Sequence, residues 1–138
     1  MRWTLGRIAR ADPGVGARRA WHVRKLIVAT LVGVVLGVIG ARVLFVGSGL
    51  SLIPWSIVGM ALGAWCSSLG ETLSVGAVFG FVLAFVFMVA GYAGAAPLLT
   101  RVLPFAALGV VGAVFGMVVG LVGFYLGRLV QGDGRRPT

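Results

Sequence analysis

Residues that carry out catalysis or bind metal ions are scarce in this sequence. It contains one cysteine, Cys66, and one histidine, His22, which excludes an intramolecular disulfide, a two-cysteine redox motif and a paired cysteine or histidine zinc site. His22 precedes the first long apolar run, so no histidine can ligate haem or chlorophyll inside a membrane-buried bundle. Nothing resembles a Ser/His/Asp or Cys/His catalytic set. The sequence therefore predicts a non-enzymatic protein with no cofactor and no metal ion.

Acidic residues are also scarce. The chain has three Asp and Glu residues and twelve Lys and Arg residues, which gives a net charge of +9. In a soluble protein such a balance would suggest nucleic acid as the partner. Seven of the twelve basic residues instead precede the first apolar run and three follow the last one, which is the positive-inside pattern of membrane proteins. We therefore expect no nucleic-acid partner, and we expect contact with the bilayer, including its anionic lipids. The expected headgroup contacts are Arg18, Arg19, Trp21, Arg24, Lys25 and Arg128.

Apolar residues dominate what remains. Hydrophobic residues make up 59% of the chain and charged residues 11%, with a mean hydropathy of +1.07, far from the composition of soluble domains. The apolar runs are about 20 residues long, enough to cross a hydrocarbon core of roughly 30 Å. We predict four spans over residues 26–46, 52–69, 73–93 and 103–128. The transmembrane domain then covers 26–130, between a basic N-terminal tail (1–25), in which any helix is short, and a polar C-terminal tail (131–138).

Glycine supplies 23 of the 138 residues, and in each predicted span glycines recur on one helical face. Spanning helices associate through close backbone approach, which faces of small residues permit. We therefore predict a glycine zipper in which helices pack at Gly33, Gly37, Gly40, Gly59, Gly63, Gly76, Gly80, Gly109, Gly112, Gly116, Gly120, Gly123 and Gly127.

The predicted fold is an all-α integral membrane protein with four helices in an up-down-up-down, glycine-rich bundle. About ten basic residues then lie on one side of the membrane, and only Arg42 and Arg101 lie on the other. We expect a cell (inner) membrane location with both termini cytoplasmic. A shift of 50 residues places Pro54 on Pro104 and Gly59 on Gly109, which fits two tandem helical hairpins or a coincidence of glycine-rich sequence.

Two charged residues are candidates for polar or ion contacts. Arg42 lies near the outer end of the first span, where its side chain either reaches the interface or pairs with another helix. Glu71 lies in the turn between the second and third spans. It either fixes that turn by accepting hydrogen bonds from Ser67, Ser68, Thr72 or Ser74, or stands at a cytoplasmic ion entrance.

Two functions fit this pattern. The first is a helix-packing or accessory subunit of a homo- or hetero-oligomeric membrane complex, indicated by many interface features and little polarity within the spans. The second is a small homo-oligomeric channel or transporter with its pore between subunits, lined by glycine backbone and by serine and threonine side chains. The scarcity of polar residues along any one span favours the first.

Overall fold

A computed structural model describes residues 13–43, 52–94 and 97–133, and all regular secondary structure in this part of the chain is helical. Helix α1 covers Pro13–Val43, α2 covers Leu52–Ala64 and α3 covers Leu69–Gly91. A short 3₁₀ turn, Leu98–Arg101, leads directly into α4, Val102–Asp133. The described residues contain no strand, so the predicted all-helical class is confirmed for them.

Three helical segments are long and apolar enough to cross a membrane: Ala20–Arg42, Leu69–Gly91 and Leu98–Gln131. At a rise of 1.5 Å per residue, the shortest of them extends roughly 35 Å and exceeds the thickness of a hydrocarbon core. These helices indicate a membrane protein.

Helix α2 is shorter than its predicted span of 52–69. It has 13 residues and extends roughly 20 Å. The chain leaves the helix after Ala64 because Ser68 begins a new one, with extended backbone and a side chain that accepts a hydrogen bond from the Glu71 N–H. Helix α3 consequently starts at Leu69, before the predicted residue 73.

Helix α1 begins within the segment predicted as a tail. Pro13 is its first residue, a position where the missing proline N–H has no intrahelical partner to lose. Residues 13–25 therefore continue directly into the apolar part of the helix. At the other end of the chain, α4 extends through Asp133, into the predicted tail. The predicted turn at 47–49 and the ends of both tails, 1–12 and 134–138, lie outside the described residues.

The contacts between helices show which helices run parallel and which run antiparallel. Helix α1 runs parallel to α3, because Lys25 pairs with Glu71 while Gly37 lies against Leu83 and Val86. Helix α4 runs antiparallel to α3 and lies against α2 as well. Helices α1 and α2 meet only sparsely, whereas α3 and α4 are in contact along much of their length. The two hairpins of the suggested repeat therefore pack differently.

Glycine residues mediate the closest contacts. A Cβ atom added to Gly76 would lie 2.6 Å from the carbonyl oxygen of Gly116, and one added to Gly80 would collide with the carbonyl of Gly112. Helix α2 approaches α4 in the same way, with Gly63 against the Gly120 carbonyl and Gly123 against the Met60 carbonyl. Since backbone atoms cannot rotate away, larger residues here would separate the helices.

Helix α3 is the centre of the core, since it contacts each of the other three helices. Its buried side chains, Val75, Phe79 and Leu83, pack with Ala29 of α1 and Phe124 of α4.

We expect Gly116→Ala to lower the free energy of unfolding by about 1–3 kcal/mol, because its methyl group would meet the backbone of Gly76 and Gly80. The matched control is Gly120→Ala, whose Cβ would lie 3.4 Å from the Thr72 methyl group in ordinary contact. It should unfold like the wild type in a denaturant titration in mixed micelles. Equal losses in the two variants would contradict the backbone-contact explanation.

Candidate functional site

The polar centre of the described residues is a buried ion pair between α1 and α3. The Nζ atom of Lys25 lies 3.0 Å from Oε1 of Glu71, and the two side chains are only 3% and 7% exposed. Lys25 also donates a hydrogen bond to the main-chain carbonyl of Trp65, at 3.2 Å. One lysine thus joins α1, the segment after α2, and the first turn of α3.

The second carboxylate oxygen of Glu71 fixes the connection between α2 and α3. It accepts a hydrogen bond from the main-chain N–H of Ser67 at 2.7 Å, while the Glu71 N–H donates to Oγ of Ser68 at 3.3 Å. These reciprocal bonds resemble a capping box, displaced by one residue on the glutamate side. Because the Glu71 carboxylate binds both Lys25 and the Ser67 N–H, it couples the position of α1 to the start of α3.

The residues predicted to donate hydrogen bonds to the Glu71 carboxylate do so only in part. Ser67 donates through its backbone. The hydroxyl groups of Thr72 and Ser74 instead donate to the carbonyls of Ser68 and Gly70, each one turn earlier, at 2.9 Å. Thr72 is fully buried and belongs to the helix interface.

Aromatic rings surround the lysine side of the pair. The Lys25 ammonium group lies 5.9 Å from the centre of the Trp21 ring and 5.7 Å from that of Trp65. Cation–π attraction adds to the charge pairing where the site is desolvated. The rings also limit access of water to the ion pair.

The structure separates the predicted headgroup residues into two groups. Trp21, Arg24 and Arg128 are exposed, as a headgroup contact requires. Lys25 is not available for that role, because it is buried and bound to Glu71. The side chains of Arg18 and Arg19 lie outside the described part of the chain.

Arg42 is exposed in the last turn of α1, far along that helix from Lys25. Glu71 and Arg42 therefore do not form a common site, although both were candidate polar contacts. Ser67 and Ser68 do lie beside Glu71.

The pairing of Lys25 with Glu71 was not predicted from the sequence. Two signals were available. A carboxylate at the edge of an apolar span requires a counter-charge, and Lys25 is the basic residue nearest to the first apolar run. The pattern Ser68-x-x-Glu71 before an apolar run also predicts a helix start.

A second feature is an apolar groove of about 290 Å³ between α3 and α4, bordered by Trp55 of α2. Trp55 packs on Phe87 with ring centres 5.3 Å apart and lies against Gly40, so this half of α2 is directed towards α1 and α3. The half of α4 before Val119 packs on α3 but is consequently left uncovered by α2. The groove is lined by Trp55, Phe79, Gly80, Leu83, Ala84, Phe87, Met88, Leu108, Val111, Gly112, Phe115, Gly116 and Val119.

The fold and the apolar helices define the class of the protein, a helical membrane protein. No protein-family model, no curated protein and no solved structure matches the chain. Inferences about its function therefore rest on its own residues and their contacts.

Breaking the ion pair should be costly, because either single substitution leaves a buried charge without its partner. We expect Lys25→Met and Glu71→Gln each to lower the free energy of unfolding by about 3–5 kcal/mol. The double variant should lose less than Lys25→Met alone, since no unpaired charge remains. The measurement is a double-mutant cycle by denaturant titration in mixed micelles.

The control for this cycle is Arg24→Met, which removes an exposed charge next to Lys25 on the same helix. Its effect should stay within about 0.5 kcal/mol. Additive losses for Lys25→Met and Glu71→Gln would show that the pair contributes no coupling energy.

Cys66 lies in the same connection, buried, with its thiol donating to the Leu62 carbonyl at 3.3 Å. Because the thiol is buried, maleimide reaches it only slowly. We expect maleimide to label the folded protein at least about tenfold more slowly than Cys66→Ala/Ser67→Cys, where the neighbouring exposed position carries the thiol. Equal labelling rates, measured by mass spectrometry, would contradict this burial.

Proposed function

We propose that this chain is a multi-pass membrane protein that acts as a non-enzymatic, helix-packing accessory subunit of an oligomeric membrane complex. The partner is the transmembrane helix of another subunit, which packs over the apolar groove between α3 and α4. The observation that carries the proposal is this groove, which has apolar walls and lies uncovered beside an otherwise tightly packed pair of helices.

The shape of the groove favours a helix as its occupant. Small residues, Gly80, Ala84 and Gly112, line it together with larger apolar side chains such as Leu108 and Phe115. A space of about 290 Å³ is too small for an entire helix, whose diameter is roughly 10 Å, but it accommodates large side chains projecting from one. This is the knobs-into-holes arrangement by which helices associate.

The internal contacts support a four-helix, up-down-up-down transmembrane bundle held by a glycine zipper. The alternating directions of α1 to α4 fit such a bundle, with α2 crossing the bilayer together with the residues that connect it to α3. The distribution of basic residues favours a cell membrane location with both termini in the cytoplasm.

The contacts do not favour the alternative of a channel with glycine backbone along its pore. The glycines that would line such a pore lie against other helices of the same chain, as with Gly76 against Gly116 and Gly63 against Gly120. Glu71, the candidate residue for a pore mouth, is bound to Lys25.

The test uses protein extracted gently from its own membrane and analysed by native mass spectrometry. Val111→Trp places a large ring on the groove wall, where Val111 is 64% exposed. The matched control, Val110→Trp, makes the same change at the neighbouring position, which is 58% exposed and outside the groove. We expect the Val111→Trp ring to disrupt a central interface contact worth about 2 kcal/mol. Recovery of companion chains should therefore fall at least about tenfold.

Companion chains that are retained by wild type and Val110→Trp but lost from Val111→Trp would support the proposal. A wild-type protein recovered only as a monomer with lipid would overturn it, and so would equal recovery from both tryptophan variants. Exclusive recovery of further copies of the same chain would make the complex homo-oligomeric, with the groove as its subunit interface.

A further inference from the structure

A second cavity lies at the opposite end of α2 from Trp55. It has a volume of about 350 Å³ and lies between the end of α2, the connection to α3 and the last turns of α4. Unlike the groove, it contains polar side chains, Ser67, Arg128 and Gln131, beside the aromatic rings of Trp65 and Phe124. The cavity is adjacent to the ion pair, since Lys25 and Glu71 bind the main chain of Trp65 and Ser67.

Arg128 gives this cavity a positive charge. Glu71 is the only carboxylate whose side chain the structure describes, and it is bound to Lys25. The Arg128 guanidinium group lies 4.4 Å from the centre of the buried Phe124 ring, which holds its charged group at the cavity. No described carboxylate therefore neutralises Arg128.

We propose that this cavity binds the phosphate group of an anionic phospholipid. Arginine presents a planar set of donors that matches phosphate oxygens, and Ser67 and Gln131 add a hydroxyl and an amide donor. Basic pockets between transmembrane helices at the cytoplasmic surface are suited to anionic headgroups.

The surroundings of the cavity favour a lipid over a fully soluble phosphate. Trp65 is exposed beside it, as expected of a ring at the membrane interface, and the apolar surface of α4 continues from there towards the centre of the membrane. A phospholipid can therefore place its phosphate near Arg128 and its acyl chains along the helices. This inference rests on the proposed membrane insertion, but it requires neither a partner subunit nor an occupied groove.

The experiment titrates purified protein in detergent with phosphatidylglycerol and, separately, with phosphatidylcholine, and counts bound lipids by native mass spectrometry. Wild type should bind one phosphatidylglycerol at least tenfold more tightly than phosphatidylcholine. Arg128→Gln should lose at least tenfold in this affinity. The matched control is Arg101→Gln, which removes an exposed arginine from the turn before α4, outside the cavity, and should bind as the wild type does.

Ser67→Ala provides a second variant with a smaller expected loss, about threefold, because the Glu71 bond uses the Ser67 backbone and is retained. A thermal unfolding curve verifies that each variant is folded. Competition with inorganic phosphate shows whether the bound phosphate group belongs to a phospholipid or to a soluble compound. Displacement of the lipid by millimolar phosphate would overturn lipid selectivity and indicate a soluble phosphate compound.

Equal affinities of wild type, Arg128→Gln and Arg101→Gln for phosphatidylglycerol would overturn the proposal, as would a lack of preference over phosphatidylcholine. These results are independent of the groove variants, whose readout is the recovery of companion chains. A failed lipid titration therefore does not contradict the accessory function. Groove variants that leave the recovery of companion chains unchanged likewise do not contradict lipid binding.

Discussion

The close approach of α3 and α4 is the constraint on which the rest of the structure depends. At Gly76, Gly80, Gly112 and Gly116 the two backbones are so near that a single added Cβ atom would meet a main-chain carbonyl or Cα atom. In a bilayer the hydrophobic effect does not drive helices together, so the packing itself must supply the attraction. Helix α3 also carries the contacts to α1, and α4 carries most of those to α2, so their relative position determines where both outer helices can lie.

The ion pair fixes the position of α1 along the axis of α3, which glycine packing alone does not determine. Glycine recurs in α1 at Gly33 and Gly37, one turn apart, and each accommodates a valine of α3, so a shift by one turn would still place a glycine opposite a valine. A buried lysine and glutamate allow no such shift, because a displacement of about 5 Å would leave two charges unpaired. Lys25 and Glu71 therefore define the alignment of α1 with α3, and the Ser67 N–H bond extends that definition to the connection from α2.

Local features of the sequence predicted the helical class and the apolar stretches, because hydropathy and the 3.6-residue period are properties of neighbouring residues. The end of α2 at Ala64 was harder to predict from the sequence. Trp65, Cys66 and Leu69 continue the apolar run, and only the Ser68-x-x-Glu71 pattern indicates a new helix. The pairing of Lys25 with Glu71 joins residues 46 positions apart, and neither position in the sequence specifies the other. The prediction that any helix in residues 1–25 is short was wrong, because Pro13 begins α1 and proline is favoured in the first turn of a helix.

The path of α2 explains two cavities of opposite character. At one end, Trp55 is directed towards α1 and α3, which leaves the facing part of α4 uncovered and creates an apolar groove. At the other end, the chain turns at Trp65 to reach Ser68, while α4 continues for another two turns past Phe124. The extra length of α4 places Arg128 and Gln131 beside that turn and gives the second cavity its polar side chains. A longer α2 would cover Arg128 and Gln131 and place residues 65–68 in a helix, so the second cavity follows from the helix start at Ser68, whereas the groove follows from the direction of α2 at Trp55.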